Sequence, residues 1–209
     1  MDAVTDDHII RDEAGLNALY GEIPPAALAK EVDYIHPHYR AMIEASPFMV
    51  LATMGPEGLD ASPRGDPAGF VQVIDEKTLL IPDRRGNNRI DSLRNIVRTP
   101  QVALLFLIPG VGETLRVNGR AHISVAPRLI ERFPYRGTLP RSVIVVQAER
   151  VFFQCPKAIV RSELWNPDKH IPRSALPSTG TILAAITAGK VGGEQYDRDY
   201  PERLRTTIY

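Results

Sequence analysis

The sequence predicts a mainly β, α+β protein: a small antiparallel β-barrel of five or six strands with flanking helices. Three observations carry that expectation. Short β-branched and apolar runs recur between residues 48 and 154. Turn residues separate them at hairpin spacing, and a helical pattern near residues 90–97 interrupts the series. Such an order lacks the repeated strand–helix alternation of a doubly wound sheet, and no glycine-rich dinucleotide fingerprint follows the first strand.

Residues 1–47 read as a polar, helical extension. Thr5-Asp6-Asp7 and Arg11-Asp12-Glu13 offer caps, and Leu16, Leu19 and Tyr20 form a short apolar face before Pro24-Pro25 breaks the segment. A second helix is expected from about Ala26 to Glu44, with Leu28, Val32, Ile35, Tyr39, Met42 and Ile43 at helical spacing and Pro37 as a kink or interruption. His36-Pro37-His38 has no acid or thiol clustered nearby, so ordinary surface histidines are the expectation and no metal site is assigned.

The strands come next. Phe48–Thr53 and Leu59–Ser62 flank the Gly55-Pro56-Glu57-Gly58 turn as one hairpin; Phe70–Ile74 and Thr78–Ile81 flank Asp75-Glu76-Lys77 as another. After Ile81 the loop Pro82-Asp83-Arg84-Arg85-Gly86-Asn87-Asn88-Arg89 leads into a helix whose predicted apolar face is Ile90, Leu93 and Val97, with Asn87 or Asn88 as its N-cap. Gln101–Ile108 is apolar on both faces and is expected to be central. In 113–123, Leu115, Val117 and Gly119 alternate with Arg116, Asn118 and Arg120, a strand with one polar face. A short helix is expected after Pro127, and Ser142–Phe153 forms the last strand.

Composition bounds the function. The 209 residues fit one domain with extensions: a barrel over 48–165, the helical extension 1–47 and a C-terminal extension 166–209 that packs on the barrel or on a dimer. Twenty-five basic and 25 acidic residues balance, so no global field draws in nucleic acid or an anionic membrane. No apolar run reaches the ~20 residues of a membrane span, and the acidic start is no signal peptide. With Cys155 the single cysteine, no intrachain disulfide forms; the cytoplasm is the expected location. Cys155 reads as a small apolar filler rather than a nucleophile, since no Cys–His–Asp set accompanies it.

Four polar clusters interrupt this apolar framework: Ser62-Pro63-Arg64-Gly65-Asp66, the 82–89 loop, the Glu113/Arg116/Asn118/Arg120 face, and the 155–162 segment, where Lys157 and Arg161 lie at i, i+4. Each has an ordinary explanation, a local Arg64–Asp66 ion pair in a turn or a solvated sheet or helix face. Together they place arginines at strand ends and at a helix start, where guanidinium forks and free backbone N–H groups receive an anion. A phosphate-bearing ligand is the expectation.

The long runs SPRGD (62–66), IPDRRGNNRIDSLRNI (81–96), LLFLIPGVGETLRVNGRA (104–121) and CPKAIVRSELW (155–165) resemble an uncharacterised bacterial subgroup of the pyridoxamine 5′-phosphate oxidase-like superfamily. The resemblance covers Phe48 to Trp165. It implies a six-stranded, Greek-key split barrel binding flavin mononucleotide (FMN), usually as a homodimer with the flavins between subunits. It further implies that Arg64, Asn87, Asn88 and Arg89 grip the phosphate, that Pro82, Asp83 and Arg84 flank the flavin, and that Thr114 and Arg116 line the strand facing it. Thr114 stands where the family commonly has a glutamine. Lys157 and Arg161 are expected to reach cofactor or substrate across the dimer interface.

The terminal Trp-Arg-x-Arg pattern of the true pyridoxamine phosphate oxidases is missing, Glu202-Arg203-Leu204-Arg205 being only superficially similar, so a different substrate is expected. The leading expectation is an FMN-dependent oxidoreductase with NAD(P)H among the candidate electron donors and no residue evident as general acid or base. The alternatives are a deazaflavin (F420)-dependent reductase and a noncatalytic flavin- or haem-binding module, with His122 as the conceivable haem ligand.

Overall fold

The computed structural model describes residues 8–209, which leaves the predicted Thr5-Asp6-Asp7 cap outside the described residues. The chain divides into two compact units, Met1–Glu31 and Val32–Tyr209.

In the first unit, helix α1 (Glu13–Leu19) begins at Asp12, whose carboxylate accepts the Gly15 N–H at 2.8 Å. Leu16, Leu19 and Tyr20 are exposed, so the apolar face expected there buries nothing. Helix α2 (Pro25–Ala29) is short. The single helix expected over 26–44 is thus two: the second unit opens with Val32 bridged to Val151, and helix α3 (Pro37–Ala45) starts afresh. Pro37 is that helix's first residue, where a missing N–H costs nothing, and His36 Nδ1 accepts the His38 N–H as its cap.

Seven strands form one antiparallel sheet: β1 (Phe48–Gly55), β2 (Gly58–Gly65), β3 (Gln72–Val73), β4 (Thr78–Asp83), β5 (Gln101–Leu107), β6 (Thr114–Ser124) and β7 (Ser142–Gln154). Their order is β2-β1-β5-β6-β7-β4-β3, one strand more than the six expected. Between β4, near one edge, and β5, near the other, the chain crosses over through helix α4 (Asp91–Arg98), as in a Greek key. One core unites Met49 and Leu51 of β1, Leu104 and Phe106 of β5, Leu115 and Val117 of β6, Val146 of β7, and Leu79 and Ile81 of β4. Strands from both ends of the order share it, so the sheet is a barrel split between β2 and β3.

Within β1, β5 and β6 alternate residues are buried, as a strand with one core face requires. Strand β5 is interior in the sheet, yet only every second residue is buried. The strands covered on both faces are β4 and β7, because Phe133, Leu129 and Ile130, at and beyond the short helix α5 (Pro127–Ile130), pack on Leu80, Val143 and Val145. A bulge falls between Asn118 and Gly119, where a Cβ on residue 119 would stand 2.0 Å from the Gln147 carbonyl oxygen. Only glycine permits that approach.

Helix α6 (Lys157–Ser162) and the helices α7 (Thr179–Ile186) and α8 (Glu194–Thr207) complete the unit. Asp197 of α8 accepts the Ser178 hydroxyl and the Gly180 N–H, tying α8 to the start of α7. Among the described residues no helix is long and apolar enough to cross a membrane.

Candidate functional site

The split in the barrel is spanned by side chains. Arg64, near the end of edge strand β2, donates from Nη1 to Asp83 Oδ1 at 2.8 Å, at the end of β4. Just beyond β2, Asp66 accepts Arg84 Nε at 2.7 Å. The local Arg64–Asp66 pair considered from sequence is therefore replaced by two crossed pairs, each joining the β2 end to the β4 end. They are more than surface ornaments, since the Asp66 side chain is 2% exposed and that of Arg84 17%. Arg84 also donates to the Phe133 carbonyl at 2.9 Å, and Asp66 accepts the Tyr209 hydroxyl at 2.7 Å. Burial, with Asp66 holding the proton on Tyr209, raises that phenol's pKa well above its usual value.

Between these ties opens a cavity of about 690 Å³, the size of a small-molecule site. Ala61, Pro63, Phe70, Pro82, Ile90 and Leu93 supply its apolar walls. Its charged lining is five arginines, Arg64, Arg84, Arg85, Arg89 and Arg141, against three aspartates, Asp60, Asp83 and Asp91. A neutral chain thus concentrates positive charge at one place. Arg64 Nε is buried there without a hydrogen-bond partner, a donor that a bound acceptor would satisfy.

The loop from β4 to α4 is held in an uncommon shape. Asn88 (φ 62°) and Ile90 (φ 54°) are both left-handed, the latter unusual for a β-branched residue. Asn87 does not cap α4; its Oδ1 accepts the Arg89 N–H at 3.1 Å, an Asx-type turn inside the loop. The N-cap is Ile90, without side-chain capping. Nor is the helix's buried face the predicted one: Ile90 and Val97 are exposed, while Ser92 and Ile96 are buried. Ser92 is buried because its hydroxyl donates to Asp60 Oδ2 of β2 at 2.9 Å. Asn95 similarly donates to Thr53 of β1 at 3.1 Å, so polar bonds fasten α4 over the barrel.

Of the residues expected from sequence, the cavity brings together Arg64, Pro82, Asp83, Arg84, Asn87, Asn88 and Arg89. Thr114, Arg116, Lys157 and Arg161 are not among its lining. Thr114 pairs with Gln154 at the start of β6, and the Arg116 guanidinium lies 5.3 Å from the Phe152 ring. Lys157 and Arg161 are exposed on α6. His122 and Cys155 are also exposed, so the cysteine is no core filler. Sequence reasoning passed over Arg141, which enters the cavity at the start of β7 and donates to Asn88 Oδ1 at 3.1 Å. It also passed over Tyr209, some 140 residues from the aspartate it binds; only the register of β4 on β7, Asp83 opposite Ser142, puts Arg141 there.

A family model described as pyridoxamine 5′-phosphate oxidase matches residues 35–155. No curated protein matches the chain. Among solved structures, tagged HupZ of Group A Streptococcus is 17% identical, covering 58% of this chain and 94% of that one, with a TM-score of 0.48. General Stress Protein 26 of Bacillus anthracis is 17% identical over 54% of this chain and 88% of that one, with a TM-score of 0.41. An FMN-binding protein of Syntrophomonas wolfei is 14% identical over 55% and 82%, again at 0.41.

Proposed function

The chain belongs to the pyridoxamine 5′-phosphate oxidase family, and we propose that it holds FMN noncovalently in the split of its barrel and acts as an oxidoreductase. The observation that carries the reading is the arginine-rich cavity with the unpartnered, buried Arg64 Nε. Arg64, Asn88 and Arg89 hold the phosphate; Pro82, Asp83 and Arg84 flank the ring system. Bound there, the flavin supplies hydride exchange at N5, while the protein supplies binding, orientation and a positive field. Asp83 keeps the Arg64 guanidinium in place through the 2.8 Å bond, so Nε is oriented before a ligand arrives. Thr114, Arg116, Lys157 and Arg161 act from the subunit interface of a homodimer, outside the cavity of one chain. The substrate differs from that of the true pyridoxamine phosphate oxidases, and NAD(P)H is the electron donor to try first.

Substituting Arg64 tests this directly. Arg64→Lys keeps the charge but loses the planar fork and the Nε donor. FMN affinity, read by quenching of flavin fluorescence, is expected to fall about tenfold or more, the loss of one charge-assisted hydrogen bond of ~1.5–3 kcal/mol. Unchanged affinity in a folded Arg64→Lys protein would remove Arg64 from the cofactor site.

A further inference from the structure

Beside the main cavity lies a second hollow of about 200 Å³, lined by Arg84, Arg85, Thr138, Leu139, Arg141 and Tyr209. Arg84, Arg85 and Arg141 line both, so the two spaces share a wall of guanidinium groups. No aspartate or glutamate lines the smaller one. Arg84 is neutralised by Asp66. Arg141 meets only the neutral Asn88 amide, and neither it nor Arg85 has a carboxylate partner among the described residues. Two uncompensated guanidiniums on one small hollow favour an anion.

The far wall is fixed. The Tyr209 hydroxyl is held by Asp66, and its ring lies 4.4 Å, centroid to centroid, from that of Tyr135. The Arg84 and Arg136 guanidinium carbons lie 5.9 and 5.8 Å from the Tyr209 ring centre. Cation–π contact on both accounts, together with the hydroxyl's bond, sets the ring as a rigid boundary.

We propose that this side hollow is the anion subsite for the substrate: Arg85 and Arg141 hold a carboxylate or phosphate group of a small molecule whose remainder extends into the adjoining cavity. The inference rests on the flavin reading and names the substrate class for the same site. Tyr209 limits the size of the anionic group, which makes it a specificity-determining residue.

The test uses flavin-loaded protein, titrated separately with inorganic phosphate and with benzoate, following the flavin visible spectrum and the heat of binding. Saturable binding of either probe, one per chain, is expected; which probe binds tells phosphate from carboxylate. Arg85→Gln is expected to weaken that binding at least tenfold. Leu139, which lines the side hollow and not the main cavity, offers a second variant: Leu139→Glu puts a carboxylate beside Arg85 and Arg141 and is expected to abolish anion binding with flavin still bound; Thr138→Glu serves if that variant fails to fold. Binding of neither probe to flavin-loaded protein, or binding indifferent to Arg85→Gln and Leu139→Glu, overturns the subsite alone. Binding to flavin-free protein only shows that the hollow receives the cofactor's own phosphate, which also overturns it. A chain that takes up no flavin overturns the functional reading and the subsite with it.

Discussion

Arg64 and Asp66 are two residues apart on the edge of the sheet, and each finds its partner across the opening, in Asp83 and Arg84. That exchange gives the site its character: one guanidinium keeps a buried donor, Nε, to spare, and one carboxylate is buried with both oxygens engaged. Tyr209 depends on the second arrangement. Tyr209→Phe deletes the hydroxyl that donates to Asp66, and is expected to cost about 0.5–1.5 kcal/mol, the net value of a typical hydrogen bond. Because the folded protein raises this phenol's pKa above the unfolded value of about 10, the contribution is fully present below pH ~10. It is lost as pH rises through the higher folded value. Denaturant unfolding of wild type and Tyr209→Phe should therefore differ by a constant amount through neutral pH and converge only in strong alkali. Curves that coincide at pH 7 would show that Tyr209 is not docked on Asp66.

At the scale of elements, the strands were legible because turn chemistry and β-branched runs are local signals. The hairpins at Pro56-Glu57 and Asp75-Glu76-Lys77 form where the turn residues stand, and the loop of arginines lies between β4 and α4 as read. What was not legible depends on long-range pairing. The buried face of α4 follows from Asp60 and Thr53 reaching Ser92 and Asn95, bonds that no periodicity of apolar residues reveals. The break between α2 and α3 likewise reflects the bridge from Val32 to Val151. Gly119 reads as one more inward residue of an alternating strand, but the bulge makes it obligatory. Gly119→Ala drives a methyl into the Gln147 carbonyl and is expected to destabilise by ~1–3 kcal/mol or more, seen as a lowered melting temperature. At the α7–α8 corner the Ser178 hydroxyl and then the Gly180 N–H hold the Asp197 carboxyl below its usual 3.8. A depressed carboxylate contributes stability above its unfolded pKa, and that contribution disappears as pH falls through the folded value. Asp197→Asn is therefore expected to lower the melting temperature at pH 7, and the difference from wild type is expected to shrink as pH falls below the usual carboxylate range; a difference that stays constant into acid would contradict the assignment.

For the whole molecule, the split barrel gathers positive charge that the overall composition hides. A chain balanced at 25 basic and 25 acidic residues places five arginines around one cavity and leaves two of them, Arg85 and Arg141, without acidic partners among the described residues. The Ser-Pro-Arg-Gly-Asp and Asp-Arg-Arg-Gly-Asn-Asn-Arg runs foretold most of that lining. Arg141 and Tyr209 escaped notice because topology, not sequence spacing, delivers them. Occupancy of this cavity by FMN is open to direct measurement. The most direct measurement is the visible spectrum of the purified protein, followed by release of any cofactor with heat and its identification by mass spectrometry. A yellow protein releasing about one FMN per chain is the predicted result. A colourless protein that also fails to bind added FMN would mean that the cavity serves another ligand.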